Sequence, residues 1–429
     1  MTDRLLYDIW FAEAMGYGSR KAPVMLEEEP NSFLIYQMGP EEYRYFFSVD
    51  LTEKEIAALC RKDLTEAQRI LRFCEEKHVD ILTLQDENYP RKLRNIINPP
   101  VVLYTYGKMP DVGERLCISL VGSRSATAYG CNLTFQLSAA LAKCGVVVVS
   151  GMARGIDTMA NSGALYGGGE TIAVIGCGIN IAYPKENREL MKRISRQGVI
   201  ISEFPPDSRP EAWHFPIRNR IICALSEGTV VVEAHKSSGS LITAKLALDQ
   251  GKDVFAVPGN VGDYISEGSN NLIKLGGAKL ITSAADILAE YSGRITLTPK
   301  QEHALRRVPV GRALNEEDLA AVPASALPPE PPQPPRPKTP RRAPVKKVEP
   351  PKVKQPAVAN VPVAIPDGLD EQSTKLCEAL RQRAMTKDQL AEHTGIPVWE
   401  ISSHLTMLEM EGLVQQQPGQ TYAWMTQNS

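Results

Sequence analysis

The chain has 429 residues, of which 43% are hydrophobic and 23% are charged, a composition typical of a soluble globular protein with about two to four domains. The formal net charge is −2, which excludes a globally basic nucleic-acid-binding protein but allows a local basic patch. The eight cysteines show no zinc-ligand spacing, so we expect reduced thiols and no metal ion. The N-terminus has no signal-peptide pattern and no apolar run is long enough to span a membrane, so we expect no membrane association and a cytosolic location.

The first region, residues 1–105, is predicted to be a helical domain that ends in a connector. The first helix has an apolar stripe made of Leu5, Leu6, Ile9 and Trp10. Thr52 and Glu55 have the spacing of a capping box, and Thr65 is predicted to cap a further helix. Pro99 and Pro100 then precede a short apolar strand.

Residues 106–295 have a different pattern, in which short apolar runs alternate with segments compatible with helices. The runs are Cys117–Val121, Val146–Val149, Thr171–Ile175, Gly198–Ile201, Gly228–Glu233 and Asp253–Val257. Six such runs predict an α/β fold with a doubly wound, Rossmann-like parallel sheet that is buried on both faces. Most of the runs are followed directly by Gly or Ser. The ligands of such sheets bind at the carboxyl ends of the strands.

A proline-rich segment, residues 323–366, separates this domain from the C-terminal region. It contains 15 prolines among 44 residues, and eight Lys or Arg against two acidic residues. We expect an extended linker, because such a sequence buries too little apolar surface to offset the entropy of ordering it. The positive charge serves either solubility or weak nucleic-acid attraction, and we favour solubility.

The last region, residues 367–429, is predicted to be a winged-helix domain with three helices and a hairpin. It contains four Lys or Arg and nine acidic residues, a net charge of −5. Its third helix carries Glu400, Glu409 and Glu411 but no Lys or Arg, and such a face repels phosphates. We therefore predict that this domain contacts protein and does not read duplex DNA.

Known catalytic motifs are absent from the chain. There is no complete GxGxxG, no Walker A sequence, no GxSxG and no HExxH, and the six histidines have no triad-like neighbours. No nucleophile–base pair is recognisable and we expect no cofactor, although these residues by themselves do not exclude an enzyme.

Phosphate-binding residue types instead follow the predicted strands. The candidate site residues are Gly122, Ser123, Arg124, Gly151, Arg154, Lys185, Arg188, Lys192, Arg218, Arg220 and Lys236. Arg forms bidentate pairs with phosphate, and small residues let a backbone approach closely. Asp157 is predicted to cap the helix after the second run. Lys185, Arg188, Lys192 and Arg196 share one helix face, which is either an ordinary solvated face or a stripe that attracts a polyanion.

The order and spacing of these motifs resemble the DprA/Smf family, the bacterial DNA-processing proteins of natural transformation. The resemblance covers about residues 80–290 and is carried by motifs such as Val121–Arg124, Ser150–Asp157, Tyr183–Lys185, Phe215–Ile222 and Phe255–Gly259. It implies a Rossmann-like homodimer without enzymatic activity that binds single-stranded DNA and helps to load RecA. It also implies a sterile-alpha-motif-like N-terminal domain and a C-terminal winged helix.

The resemblance assigns the DNA-contacting arginine of the family to Arg124 and its lysine to Lys185. One departure is Asn161, where the family commonly has histidine, and this puts in doubt a role that depends on that imidazole. Tyr183, Trp213 and Phe215 are explained equally well by base stacking and by core packing.

Two other functions remain open from the residues alone. One is a Rossmann nucleotide sensor or phosphoribohydrolase-like enzyme, although the Pro-Gly-Gly-x-Gly-Thr motif of those enzymes is absent. The other is a structural adaptor that works through the acidic winged helix. Tight, salt-sensitive DNA binding distinguishes the predicted function from both.

Overall fold

The computed structural model describes residues 2–295 continuously, with side chains from Arg4. Beyond them it describes residues 361–362, 371–396, 413–417, 421–424 and 426–427 and the single positions 299, 305, 401, 404, 405 and 408. The chain divides into two compact units, residues 1–334 and 335–429. The predicted proline-rich linker lies outside the described residues, except for Val361 and Pro362. No helix in the described part of the chain is both long and apolar enough to cross a membrane.

Six helices form the N-terminal part of the first unit. They are α1 (Thr2–Met15), α2 (Lys21–Glu28), α3 (Ser32–Gln37), α4 (Pro40–Tyr45), α5 (Glu53–Cys60) and α6 (Thr65–Lys77). The predicted capping box is present, because the Thr52 N–H donates to the Glu55 carboxylate at 2.7 Å and the Glu55 N–H donates to the Thr52 hydroxyl at 3.3 Å. The predicted cap at Thr65 is wrong: Leu64 is the N-cap, and the Thr65 N–H is satisfied by Asp63.

A nine-stranded sheet forms the centre of this unit. Its strands are β1 (Asp80–Thr83), β2 (Val102–Gly107), β3 (Cys117–Val121), β4 (Val147–Ser150), β5 (Thr171–Ile175), β6 (Val199–Ser202), β7 (Gly228–Val231), β8 (Asp253–Ala256) and β9 (Lys279–Leu280). The strand order is β1-β2-β6-β5-β4-β3-β7-β8-β9. The seven strands from β3 to β9 are parallel, which confirms the predicted doubly wound sheet.

The edge of the sheet formed by β1 and β2 differs from the sequence expectation. Both strands pair antiparallel, β2 with β6 and β1 with β2. The predicted boundary between residues 105 and 106 therefore cuts through β2 and leaves β1 on the helical side. Strand β1 is too short and too weakly apolar for its pattern to stand out, and only its pairing with β2 defines it.

Helices cover both faces of the sheet. They are α7 (Arg91–Arg94), α8 (Ala128–Lys143), α9 (Ile156–Tyr166), α10 (Arg188–Gln197), α11 (His214–Leu225), α12 (Gly239–Asp249), α13 (Glu267–Lys274) and α14 (Ala284–Glu290), with short 3₁₀ turns at Lys185–Asn187 and Tyr264–Ser266. In β3, Ile118 and Leu120 join the core beneath α8, α9 and α14, whereas Cys117 and Val121 join the core shared with the N-terminal helices. This period of two explains why the strand is apolar throughout.

The described part of the second unit agrees with the predicted winged helix. It contains β10 (Val361–Pro362), α15 (Glu371–Gln382), β11 (Met385–Thr386), α16 (Lys387–Thr394), β12 (Val414–Gln417), β13 (Thr421–Trp424) and β14 (Thr426–Gln427). Strand β13 pairs antiparallel with β11 and β12, so the predicted wing is formed. Glu400, Glu409 and Glu411, on which the charge argument for the third helix rests, lie outside the described residues.

Candidate nucleic-acid interface

A pocket of about 410 Å³ opens beyond the carboxyl end of β3, where the strand order changes direction. From β3 the sheet continues through β4, β5 and β6 on one side, and the chain then returns to β7 on the other side. Loops diverge at such a switch point and leave the crevice in which open α/β sheets bind ligands. The pocket wall comes from the loop after β3, the loop before α9, and helices α11 and α12.

The loop after β3 is held by backbone hydrogen bonds on both sides. The Ser123 N–H donates to the Glu233 carbonyl oxygen at 2.7 Å, and the Ser123 carbonyl oxygen accepts from the Ile156 N–H at 3.2 Å. A Cβ on Gly122 would lie 2.6 Å from Ile156 Cγ1 and 3.0 Å from the Glu233 carbonyl oxygen, so a side chain does not fit there. The loop that carries Arg124 is therefore rigidly attached to the neighbouring strand ends.

The loop after β4 presses against the same segment. Gly155 has a φ of +71°, which favours glycine, and a Cβ there would lie 2.9 Å from the Arg124 carbonyl oxygen. This glycine lets the two loops touch and brings Arg154 and Arg124 to the same edge of the sheet. Gly151 belongs to the interior, because a Cβ there would meet Asp157 and the Arg218 guanidinium.

Arg124 is exposed at the pocket and lies over an aromatic ring. Its guanidinium carbon is 4.8 Å from the centroid of the Phe215 ring, a cation–π contact that orients the side chain. The Tyr183 ring lies 5.6 Å from the Phe215 ring. Tyr183 is 40% exposed and Trp213 is 48% exposed, whereas Phe215 is half-buried in the pocket wall. Both rings therefore present accessible surface at this edge, while Trp213 also packs against Phe204 and His214.

Arg218 forms the buried floor of the pocket and does not project from it. Its guanidinium donates to the Val174 carbonyl oxygen and lies close to Asp157. Burial lowers the pKa of Arg218 to about 10, and Asp157 opposes that change, so the guanidinium stays charged at neutral pH. Asp157 is not the predicted helix cap, since Gly155 is the N-cap of α9. Burial raises the pKa of Asp157, and Arg218 is the main group that opposes this.

Arg220 also differs from the prediction that it faces a ligand with the other basic residues. Its side chain is 5% exposed and pairs at 2.6 Å with Glu203, which is 6% exposed. Glu203 also accepts a hydrogen bond from the Gly18 N–H at 3.0 Å. The pair thus connects the turn after α1 to the sheet. Neighbouring elements enclose helix α11. The spacing of Arg218 and Arg220 along this helix therefore does not place either side chain at the surface.

The predicted cationic stripe is exposed along its whole length. Lys185, Arg188, Lys192 and Arg196 are all exposed, from the 3₁₀ turn through α10. Lys192 pairs with Glu189 at 3.2 Å, and Arg154 pairs with Glu186 at 2.9 Å. Such exposed pairs contribute little and are easily exchanged for other partners. Lys185, Arg188 and Arg196 form no ion pair with any residue in the range 4–295.

The loop between β7 and α12 contributes backbone and hydroxyl groups to the pocket. Ser238, Gly239 and Ser240 line it, and Ser238 is the N-cap of α12. The positive end of this helix dipole therefore faces the pocket, an arrangement that favours anions. Lys236 does not line the pocket, and its exposed ammonium pairs with Glu267 at 2.9 Å.

Two buried polar residues hold elements of the sheet region together, although the sequence did not identify them as supports. The Glu233 carboxylate accepts from the Thr127 N–H at 2.8 Å and from the Thr127 hydroxyl at 2.6 Å, which holds the start of α8. Asn161 is fully buried and donates to the Thr171 hydroxyl at 2.8 Å, so it connects α9 with β5 and does not line the pocket. Glu233 and Thr127 lie far apart in sequence, and no local pattern reveals their contact.

Comparison with known proteins places this geometry in one family. The family model described as DNA recombination-mediator protein A matches residues 80–292, and the DprA winged helix domain matches residues 361–420. Protein Smf of Synechocystis sp. is 35% identical over 81% of each chain. DNA processing protein DprA of Bacillus subtilis is 42% identical over 53% of this chain and 76% of its own.

A solved structure supports the same assignment. The X-ray structure of DNA processing protein A from Streptococcus pneumoniae superposes with a TM-score of 0.58 and 32% sequence identity, over 68% of this chain and 99% of that one. The matched region contains the sheet, the switch-point pocket and the strand-end loops that carry Arg124 and Lys185. The chain is therefore a member of the DprA/Smf family of DNA-processing recombination mediators.

Proposed function

We propose that the protein binds single-stranded DNA along the carboxyl-end edge of its sheet, from the switch-point pocket to the cationic stripe of α10. The observation that carries this proposal is that Arg124, Lys185 and Arg188 are exposed at this edge and form no ion pair within residues 4–295. Unpaired cations are available to replace the counterions of a phosphate backbone. The exposed Tyr183 and Trp213 rings add surfaces on which unpaired bases stack, which favours a single strand over a duplex.

Fluorescence anisotropy of a labelled oligothymidylate, titrated at several salt concentrations, tests this proposal. We expect strong binding that weakens with salt and is not competed by duplex DNA or by mononucleotides. Arg124→Ala and Lys185→Ala should each weaken binding by about 1–3 kcal/mol. Lys143→Ala, at the exposed C-terminal end of α8, is the matched control and should leave affinity unchanged.

Two results would contradict the proposal. Unchanged affinity in a folded Arg124→Ala/Lys185→Ala double variant would exclude this edge as the DNA site. Failure to bind DNA at low salt, together with tight binding of a mononucleotide, would favour the nucleotide sensor or phosphoribohydrolase-like enzyme. The volume of the pocket, about 410 Å³, is in the range of small-ligand sites and makes that comparison necessary.

We further propose that the protein is a homodimer that associates through the β9 edge of its sheet. Two large apolar side chains are exposed at or just before β9: Leu280, which is 46% exposed, and Leu275, which is 82% exposed. An apolar sheet edge of this kind is normally covered in a stable protein. We expect Leu275→Lys/Leu280→Lys to shift the mass measured by light scattering from dimer to monomer, whereas Tyr45→Lys should not.

The remaining features are inferred from the family resemblance. We propose that the DNA-bound protein acts in the cytoplasm, catalyses no reaction and helps to load a RecA-type recombinase. A RecA ATPase assay on single-stranded DNA coated with a single-strand binding protein tests the loading. We expect this protein to shorten the lag before RecA hydrolyses ATP. If the lag is unchanged while the protein still binds DNA, the loading proposal is wrong and the DNA-binding proposal stands.

A further inference from the structure

A second pocket, of about 680 Å³, lies beside the switch-point pocket, between the N-terminal region and helices α11 and α12. Four basic residues line it: Arg20, Lys92, Arg220 and Lys252. Asp249 is the one acidic residue among its lining residues. The pocket thus combines an excess of positive charge with enough volume for part of a polymeric ligand.

Two of these cations have their charges balanced within the protein, and two do not. Lys92 pairs with Glu227 at 2.6 Å, and Arg220 pairs with Glu203. Arg20 and Lys252 form no ion pair with any residue in the range 4–295. Burial lowers the pKa of the half-buried Lys252; Glu227 opposes this effect and Lys92 adds to it. Because Glu227 already pairs with Lys92, a bound anion would add to the stabilisation of the half-buried Lys252 cation.

The two pockets adjoin each other along helix α12. Pro216 and Ile242 line both of them and are exposed, so the two cavities meet at a solvent-exposed rim. The first turn of α12 faces the switch-point pocket, and its C-terminal half, from Leu246 to Gln250, faces the second pocket. With a rise of about 1.5 Å per residue, this path is roughly 16 Å long.

The second pocket also has apolar lining residues, which stand beside polar ones such as Asn95 and Asn98. Ile96, Ile97, Ile217 and Leu246 line it, and Ile97 is 80% exposed at its mouth. A single exposed isoleucine is common on protein surfaces, so the significance of Ile97 comes from its position at the mouth of a basic pocket. A chain that carries both flat apolar groups and regularly spaced negative charges matches this surface, and single-stranded nucleic acid has that chemistry.

We propose that the second pocket is an additional binding site for the same DNA strand, which leaves the switch-point pocket over Pro216 and Ile242 and places phosphates near Arg20 and Lys252. This inference rests on the proposed function, since it extends the DNA path of that site. It predicts that the footprint includes the turn after α1, so the N-terminal region takes part directly in DNA binding. It also predicts that the second pocket matters only for strands long enough to reach it.

The test compares a short oligothymidylate of about four nucleotides with one of about sixteen, the two ends of the range for single-strand binding folds. Arg20→Ala/Lys252→Gln should weaken binding of the long strand roughly tenfold and leave the short strand unchanged. Loss of two phosphate contacts should also reduce the salt slope of the long strand by about 1.4. The charge-matched control is Arg72→Ala/Lys77→Gln, on exposed positions of α6 that line neither pocket.

A second variant tests the same pocket in case Arg20→Ala/Lys252→Gln does not fold. Ile97→Glu adds a carboxylate at the exposed mouth without removing a buried group, and it should also weaken binding of the long strand alone. Equal affinity of wild type and both variants for the long strand would overturn the inference, and so would an equal loss for both strand lengths. If the wild type binds neither strand, the proposed function fails as well, a different outcome from the loss of length dependence.

Discussion

The buried Arg220–Glu203 ion pair leads to a specific prediction about stability. Arg220→Met removes the charge but keeps most of the side-chain volume. Glu203 then retains the Gly18 N–H at 3.0 Å, while its Oε2 atom has no hydrogen-bond partner in the described structure. Breaking a buried pair from one side leaves an uncompensated charge and typically costs about 3–5 kcal/mol. We expect the free energy of unfolding to fall by that amount.

The assay is urea denaturation followed by tryptophan fluorescence. With a slope of about 2–3 kcal/mol/M, the midpoint should fall by about 1–2 M. The double variant Arg220→Met/Glu203→Leu removes both charges and should recover most of the loss. It still leaves the Gly18 N–H without its acceptor, at a cost of about 1–3 kcal/mol.

The exposed Arg124 provides the matching comparison. Arg124→Ala loses the contact with the Phe215 ring, an attraction to Asp157 and a repulsion from Arg218, and it should change stability by less than about 1 kcal/mol. The two variants should therefore have different effects: Arg220→Met should lower stability, and Arg124→Ala should weaken DNA binding. An unchanged urea midpoint for Arg220→Met, together with lost DNA binding, would show that Arg220 acts at the surface and that the reasoning from burial is wrong.

Two further predictions concern the strand-end loops and the thiols. Gly155→Ala should lower both the melting temperature and the DNA affinity, because the added Cβ would displace the loop that carries Arg124. The control is Gly168→Ala, which is also at positive φ but whose added Cβ would have no atom within 4 Å. This control should reduce the free energy of unfolding by only about 1–2 kcal/mol and leave DNA binding intact. Of the eight cysteines, only the partly exposed Cys60 and Cys144 should react rapidly with a thiol reagent in the native protein, because burial raises the pKa of thiols such as Cys223 to about 12. Rapid native-state labelling of more than two thiols would contradict the described burial.

Local pattern was sufficient for the sheet and for the approximate position of the site. The runs Cys117–Val121 and Thr171–Ile175 have the bounds of β3 and β5, because continuous β-branched runs buried on both faces have few other ways to fold. Glycines and cations immediately after such strands necessarily lie at one edge of a parallel sheet. The exposure of Arg124 and of the α10 stripe followed from that placement.

Long-range packing decided which polar groups are free to meet a ligand. The sequence places Arg218 and Arg220 among the candidate ligand contacts together with Arg124, yet both are buried, because α11 is enclosed by α12, the sheet and the N-terminal region. Strand β1 likewise exists only through its pairing with β2. Periodicity within a segment indicates which residues share a face of a helix or strand. The groups that pack against that face are often distant in sequence, as Gly18 is from Glu203. The availability of a charge therefore depends on the assembled tertiary structure, and residue type alone does not determine it.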